Sequence, residues 1–94
     1  MNKEQLEQLS DSELSNAIIQ TNAGKMDHSF DINDANCMMP LVFENSMTID
    51  LGVSSLIHVY TTQDRWDRPT YTCWRKVGEL RAAAIAYLLI KEGE

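Results

Sequence analysis

Apolar positions along the chain fall into two rhythms, one near 3.6 residues and one of two, and they divide it into segments. Leu14, Ala17 and Ile18 share one face of a helix within "SDSELSNAIIQTNAG". Ser10 and Glu13 stand at capping-box spacing before it, and Gly24 follows as a residue able to take the left-handed conformation. A second helical pattern runs through "SFDINDANCMMPLVFENS". Ala35, Met38, Met39, Val42 and Phe43 recur at helical spacing there, with Asp31 or Asn33 as the expected cap. Pro40 interrupts that pattern. It lacks an N–H and clashes with the preceding turn, at a cost of about 3 kcal/mol, so a kink or a fresh helical start is expected near it.

From Met47 the period shortens to two. Met47, Ile49 and Leu51 alternate with Thr48, Asp50 and Gly52, and the β-branched and aromatic runs "LIHVYTT" and "TYTCWRK" follow. Three strands are expected. The links "GVSS" and "QDRWDRP" are too short for a parallel crossover, so the strands should form an antiparallel meander. "GELRAAAIAYLLIKEGE" then returns to the helical period, with Leu80, Ala83, Ala84, Tyr87 and Leu88 as a wide apolar stripe. Glu79 early and Lys91 late suit the helix dipole. The predicted architecture is α+β in two layers, with N-terminal helices, a three-stranded antiparallel meander and a C-terminal helix packed on one face.

Composition narrows the functional classes. The 94 residues, 44% of them hydrophobic, fit one small domain spanning 1–94 with one modest core. Eight basic residues against fourteen acidic ones give a net charge of −6, which opposes binding to nucleic acid over most of the surface. Helix, three strands, helix is also the order of a double-stranded-RNA-binding domain, but "VGELRAAAIA" lacks the lysines that such a domain presents at the start of its last helix. The polar opening "MNKEQLEQLSDSEL" does not read as a signal sequence, and no apolar run approaches the ~20 residues of a membrane span. A soluble cytoplasmic protein is expected, with no membrane partner. Cys37 and Cys73 then read as two separate reduced thiols.

Reaction chemistry is sparse. Cys37 or Cys73 with His28 or His58 could be assembled into a nucleophile and base, but nothing in the sequence places them together. The same four residues lack zinc-ligand spacing. Gly24, Gly52, Gly78 and Gly93 are isolated, so no phosphate loop is present. Asp31 and Asp34 read as capping residues rather than as an acid and a base, and the Met38-Met39 pair reads as core filling beside an irregular helix. No enzyme activity, cofactor or metal is implied.

The residues best suited to contact are Arg65, Trp66, Asp67 and Arg68 in "QDRWDRP", together with Trp74 and Arg75. Trp and Arg are the residue types most enriched among binding hot spots, and a polar segment ending in Pro69 suits an exposed tip between two strands.

Three segments, "LSDSELSNAI", "NDANCMMPLVFENSMTI" and "ELRAAAIAYLLIKEGE", together make the chain resemble short tailed-phage and prophage proteins of the NinX type. The resemblance covers most of the chain in order. It implies a dispensable accessory protein and supplies no catalytic residues. The function expected is that of a phage-encoded, non-enzymatic interaction protein in the cytoplasm of the infected bacterial host, with a host protein as partner, blocking a host enzyme or defence component. The alternative is a protein, oligomeric or not, that sequesters a small nucleotide-like anion through Arg65, Arg68 or Arg75 and an aromatic neighbour.

Overall fold

The computed structural model describes residues 2–22, 25–51, 55–61 and 69–92, and the fold is α+β. The helices are α1 (Lys3–Glu7), α2 (Asp11–Thr21), α3 (Ala35–Glu44) and α4 (Glu79–Glu92). The strands are β1 (Thr48–Asp50), β2 (Leu56–Tyr60) and β3 (Tyr71–Trp74), and a 3-10 turn (Arg75–Val77) joins β3 to α4. The strands form one antiparallel sheet in the order β1-β2-β3, as the two-residue period predicts. Gly24, Gly52 and Gly93 lie outside the described residues.

Side-chain satisfaction of free backbone donors fixes where the helices begin. Ser10 and Glu13 form the expected reciprocal capping box of α2. A second box, between Asn2 and Gln5, starts α1 within a segment that carries no apolar periodicity. For α3 the cap is Asp34, one of the two aspartates read as capping residues, whose carboxylate accepts from the Asn36 N–H, rather than Asp31 or Asn33. Asp31 instead accepts from the Asn33 N–H at 2.9 Å, closing a side-chain turn before the helix.

Helix α3 continues through Pro40 without a new start, one of the two outcomes expected there. Pro40 is the sixth residue of α3, so one intrahelical bond is lost, the one to the Asn36 carbonyl. Asn36 is exposed, which leaves that carbonyl to water. The buried face is Met38, Leu41 and Val42, with Met39 packed at its margin. Phe43 is 73% exposed, contrary to its place in the predicted apolar stripe, because it sits about 140° around the helix from Met38.

Helix α4 occupies the middle of the molecule. It packs on β2 and β3 as expected, but α1, α2 and α3 also lie against it. Ala82 through Leu88 are therefore buried without a break, so a helix predicted to be striped is enclosed all round at its centre. The run of alanines permits this, since small side chains let neighbouring backbones approach from several directions. Ile49, Ile57, Val59, Tyr71 and Cys73 form the sheet's inward side and join Leu6, Leu14, Ile18 and the α3 face in one hydrophobic cluster.

Arg81 ties the N-terminal helices to α4. Its Nη1 donates to Asp11 Oδ1 at 2.7 Å, and its Nη2 donates to the carbonyls of Glu7 and Leu9. These bonds sit at the C-terminal end of α1, which has no basic residue of its own in its last turn. Ser15, a buried polar side chain, accepts from the Ile32 N–H and fastens the segment before α3 to α2.

Candidate functional site

Strand alternation places one set of side chains on the outward face of the sheet: Thr48 and Asp50, then Leu56, His58 and Tyr60, then Thr72 and Trp74. Asp50, His58 and Thr72 are aligned across the three strands. His58 Nδ1 and Thr72 Oγ1 lie 2.9 Å apart, and the His58 and Tyr60 rings are tilted at 45° with centroids 6.1 Å apart. Tyr60 is buried but stands apart from the central hydrophobic cluster.

The register separates the residues from which a thiol site could have been assembled. Ile57 is opposite Cys73 and His58 is opposite Thr72, so Cys73 faces the core while His58 faces outward. Burial is the main influence that pushes the Cys73 thiol upward, and the Glu7 carboxylate adds to it. A buried thiol of that kind is a poor nucleophile. His28 is exposed in the segment before α3. Among the described residues no group of three His, Cys, Asp or Glu side chains is arranged to hold a metal ion.

Asp50, His58 and Thr72 include an acid, an imidazole and a hydroxyl. Their alignment is nonetheless that of cross-strand neighbours, with a hydrogen bond between His58 and Thr72. Strand β2 is central and commits its amides to neighbours on both sides, so none is aimed at a developing oxyanion. The Tyr71 hydroxyl is likewise engaged: it donates to Glu7 Oε2 at 2.9 Å, with the Lys3 ammonium 5.8 Å from its ring centroid. Burial, and then the Glu7 carboxylate, push this phenol far above its ordinary range.

The contact residues predicted in "QDRWDRP", Arg65, Trp66, Asp67 and Arg68, lie outside the described residues, as does the placement expected for Trp66. Trp74 and Arg75 are described, and the structure brings them together with two residues that sequence reasoning did not single out. Ser55, Trp74, Arg75 and Lys76 line an open depression of about 370 Å³. Trp74 is 60% exposed, because Cys73 takes the inward position at the end of β3. Arg75 is anchored twice: its N–H donates to the Ser55 carbonyl at 2.9 Å, and its Nη2 donates to the Leu51 carbonyl at 3.0 Å. Gly78, with φ at +96°, then turns the chain out of the 3-10 turn into α4. Trp74 therefore projects from a segment held by a ladder on one side and by backbone bonds on the other.

Lys76 left a legible signal, since Arg75-Lys76 is the only pair of adjacent basic residues in the chain. Ser55 left none, because its place depends on how the link between β1 and β2 meets the end of β3. The described residues contain no helix long and apolar enough to cross a membrane. No family model, curated protein or solved structure matches this chain.

Proposed function

We propose that the chain is a non-enzymatic interaction protein, of the phage or prophage accessory kind that its sequence resembles. On this reading it engages a host protein in the cytoplasm of the infected bacterium, and the contact is centred on Trp74 and Arg75. The observation that carries the proposal is the 60% exposure of Trp74 beside an anchored arginine. Trp and Arg dominate measured binding hot spots, and groups held in place before binding lose less entropy when a partner arrives. Blocking a host enzyme or defence component requires only such a surface and no reaction centre.

One observation favours the second reading, sequestration of a small nucleotide-like anion: cationic and aromatic groups line the same depression, and its volume of about 370 Å³ is within the range of ligand sites. Its openness favours the protein partner. Small-molecule sites usually enclose most of their ligand, and the described lining, Ser55, Trp74, Arg75 and Lys76, forms an open surface.

Affinity capture from infected host lysate tests the proposal, with the whole chain and its Trp74→Ala variant immobilised side by side. A host protein retained by the natural chain and lost from the variant, at an unchanged unfolding midpoint, is the expected result. Equal retention by both overturns the placement of the contact.

A further inference from the structure

We infer that the depression lined by Ser55, Trp74, Arg75 and Lys76 receives a carboxylate from an acidic segment of the protein partner, while an apolar neighbour in that segment lies on the Trp74 indole. This rests on the contact reading above and adds the chemistry of the partner.

Charge is the first support. The chain carries a net charge of −6, yet its only adjacent basic pair lines this depression. An acidic segment is repelled by most of the molecule and attracted here, so the field both orients it and discourages other poses. Arg75 contributes its charge from a fixed position, its guanidinium donating to Leu51 and its backbone to Ser55. Lys76 is exposed beside it and can move to meet the anion.

Shape is the second. The depression is open, so an anion seated in it keeps much of its surface in water unless a larger body covers the rim. A carboxylate on a polypeptide brings that cover with it, and the exposed indole offers the adjoining apolar area. A nucleic acid is disfavoured by the net charge of −6, because phosphate binding needs many clustered cations to release counterions.

The test is an NMR titration of the full-length, isotope-labelled chain with two short capped synthetic peptides of equal length. One carries Glu-Leu-Glu and the other Gln-Leu-Gln, and adenosine monophosphate forms a third arm. The Glu peptide should shift the Trp74 indole N–H and the backbone amides of Ser55, Arg75 and Lys76 at millimolar concentration. The Gln peptide should bind at least about tenfold more weakly, a difference of about 1.4 kcal/mol. Lys76→Glu should abolish the response while amides in α4 stay unmoved. Equal shifts with the Gln peptide, no shift with the Glu peptide, or shifts at these four residues with the nucleotide alone would each overturn the inference.

Adding Lys76→Glu to the lysate capture separates this inference from the contact reading. Capture lost with Trp74→Ala but kept with Lys76→Glu removes the acidic partner and leaves the contact. Capture kept by both variants removes both.

Discussion

Replacing Arg81 by alanine probes the connection on which the N-terminal half depends. The guanidinium holds three acceptors at once, the Asp11 carboxylate and the carbonyls of Glu7 and Leu9. A hydrogen bond involving a charged group contributes about 1.5–3 kcal/mol, but both carbonyls lie near solvent and water can replace part of what is lost, so about 1 kcal/mol each is a sounder figure. The Asp11 side chain is 47% exposed, and solvent screening reduces the ion pair to at most about 1 kcal/mol. With the loss of packing by the arginine stem, the whole comes to about 2–4 kcal/mol. In a chain of this length that lowers the thermal midpoint by roughly 10–30 °C. Urea denaturation followed by circular dichroism should show a lower midpoint with an unchanged slope. Arg81→Lys should recover less than half of the loss, because an ammonium cannot match the fork geometry. The pH dependence has a definite sign. The Asn33 amide, and after it Arg81, hold the Asp11 carboxyl below its ordinary value of 3.8. The stabilisation that depends on ionised Asp11 is therefore fully present above that value and is lost as pH falls through the depressed one. The gap between the natural chain and Arg81→Ala should narrow below about pH 4. A loss under about 0.5 kcal/mol, the range of an indifferent surface change, would refute the view that Arg81 ties α1 and α2 to α4.

Other perturbations test the remaining parts of the structure. Ala84→Phe places a large ring where α4 is fully buried and should cost roughly 1–3 kcal/mol by overpacking; an unchanged denaturation midpoint would mean that this side of the helix is open. Gly78→Ala meets no atom within 4 Å but must adopt a φ of +96°, so about 1–3 kcal/mol of backbone strain is expected, and a variant as stable as the natural chain would contradict that geometry. Cys37 and Cys73 are both free thiols, and mass spectrometry with alkylation should find Cys37 modified first in the folded protein and Cys73 only on unfolding. A mass lower by two hydrogens with neither thiol reactive would reveal a disulfide instead.

Local chemistry made some elements readable and tertiary packing hid others. Alternation at Ile49, Ile57, Val59, Tyr71 and Cys73 gave the strands and their inward side, because a two-residue period follows directly from the pleat. The Ser10–Glu13 box gave the start of α2. Helix α1 shows no apolar periodicity, since Leu6 alone reaches the core, and its mark was the Asn2–Gln5 box. Phe43 left the expected stripe and Leu41, which the pattern did not include, joined the buried face, because helical spacing admits two overlapping faces and only the packing of α3 against α4 selects one. The enclosure of α4 could not be read from its stripe, because Ala82 and Ala86 suit a buried helix and an exposed one equally. At the contact surface, Trp74 and Arg75 were legible by residue type and Lys76 by its neighbour. Ser55 meets Arg75 through a backbone bond across the strands, which residue type does not reveal.

The central claim, that binding is centred on Trp74, has a rival within the structure. Phe43 is 73% exposed, with Pro40 also exposed on the preceding turn, and could equally anchor a partner by hydrophobic area alone. The direct measurement is the affinity of the captured host protein for three full-length chains, natural, Trp74→Ala and Phe43→Ala, each with its unfolding midpoint determined alongside. Trp74→Ala should weaken binding by about 2 kcal/mol or more, roughly thirtyfold, with its midpoint unchanged, and Phe43→Ala should bind as the natural chain does. Full affinity in Trp74→Ala together with a comparable loss in Phe43→Ala would move the contact to α3 and contradict the account.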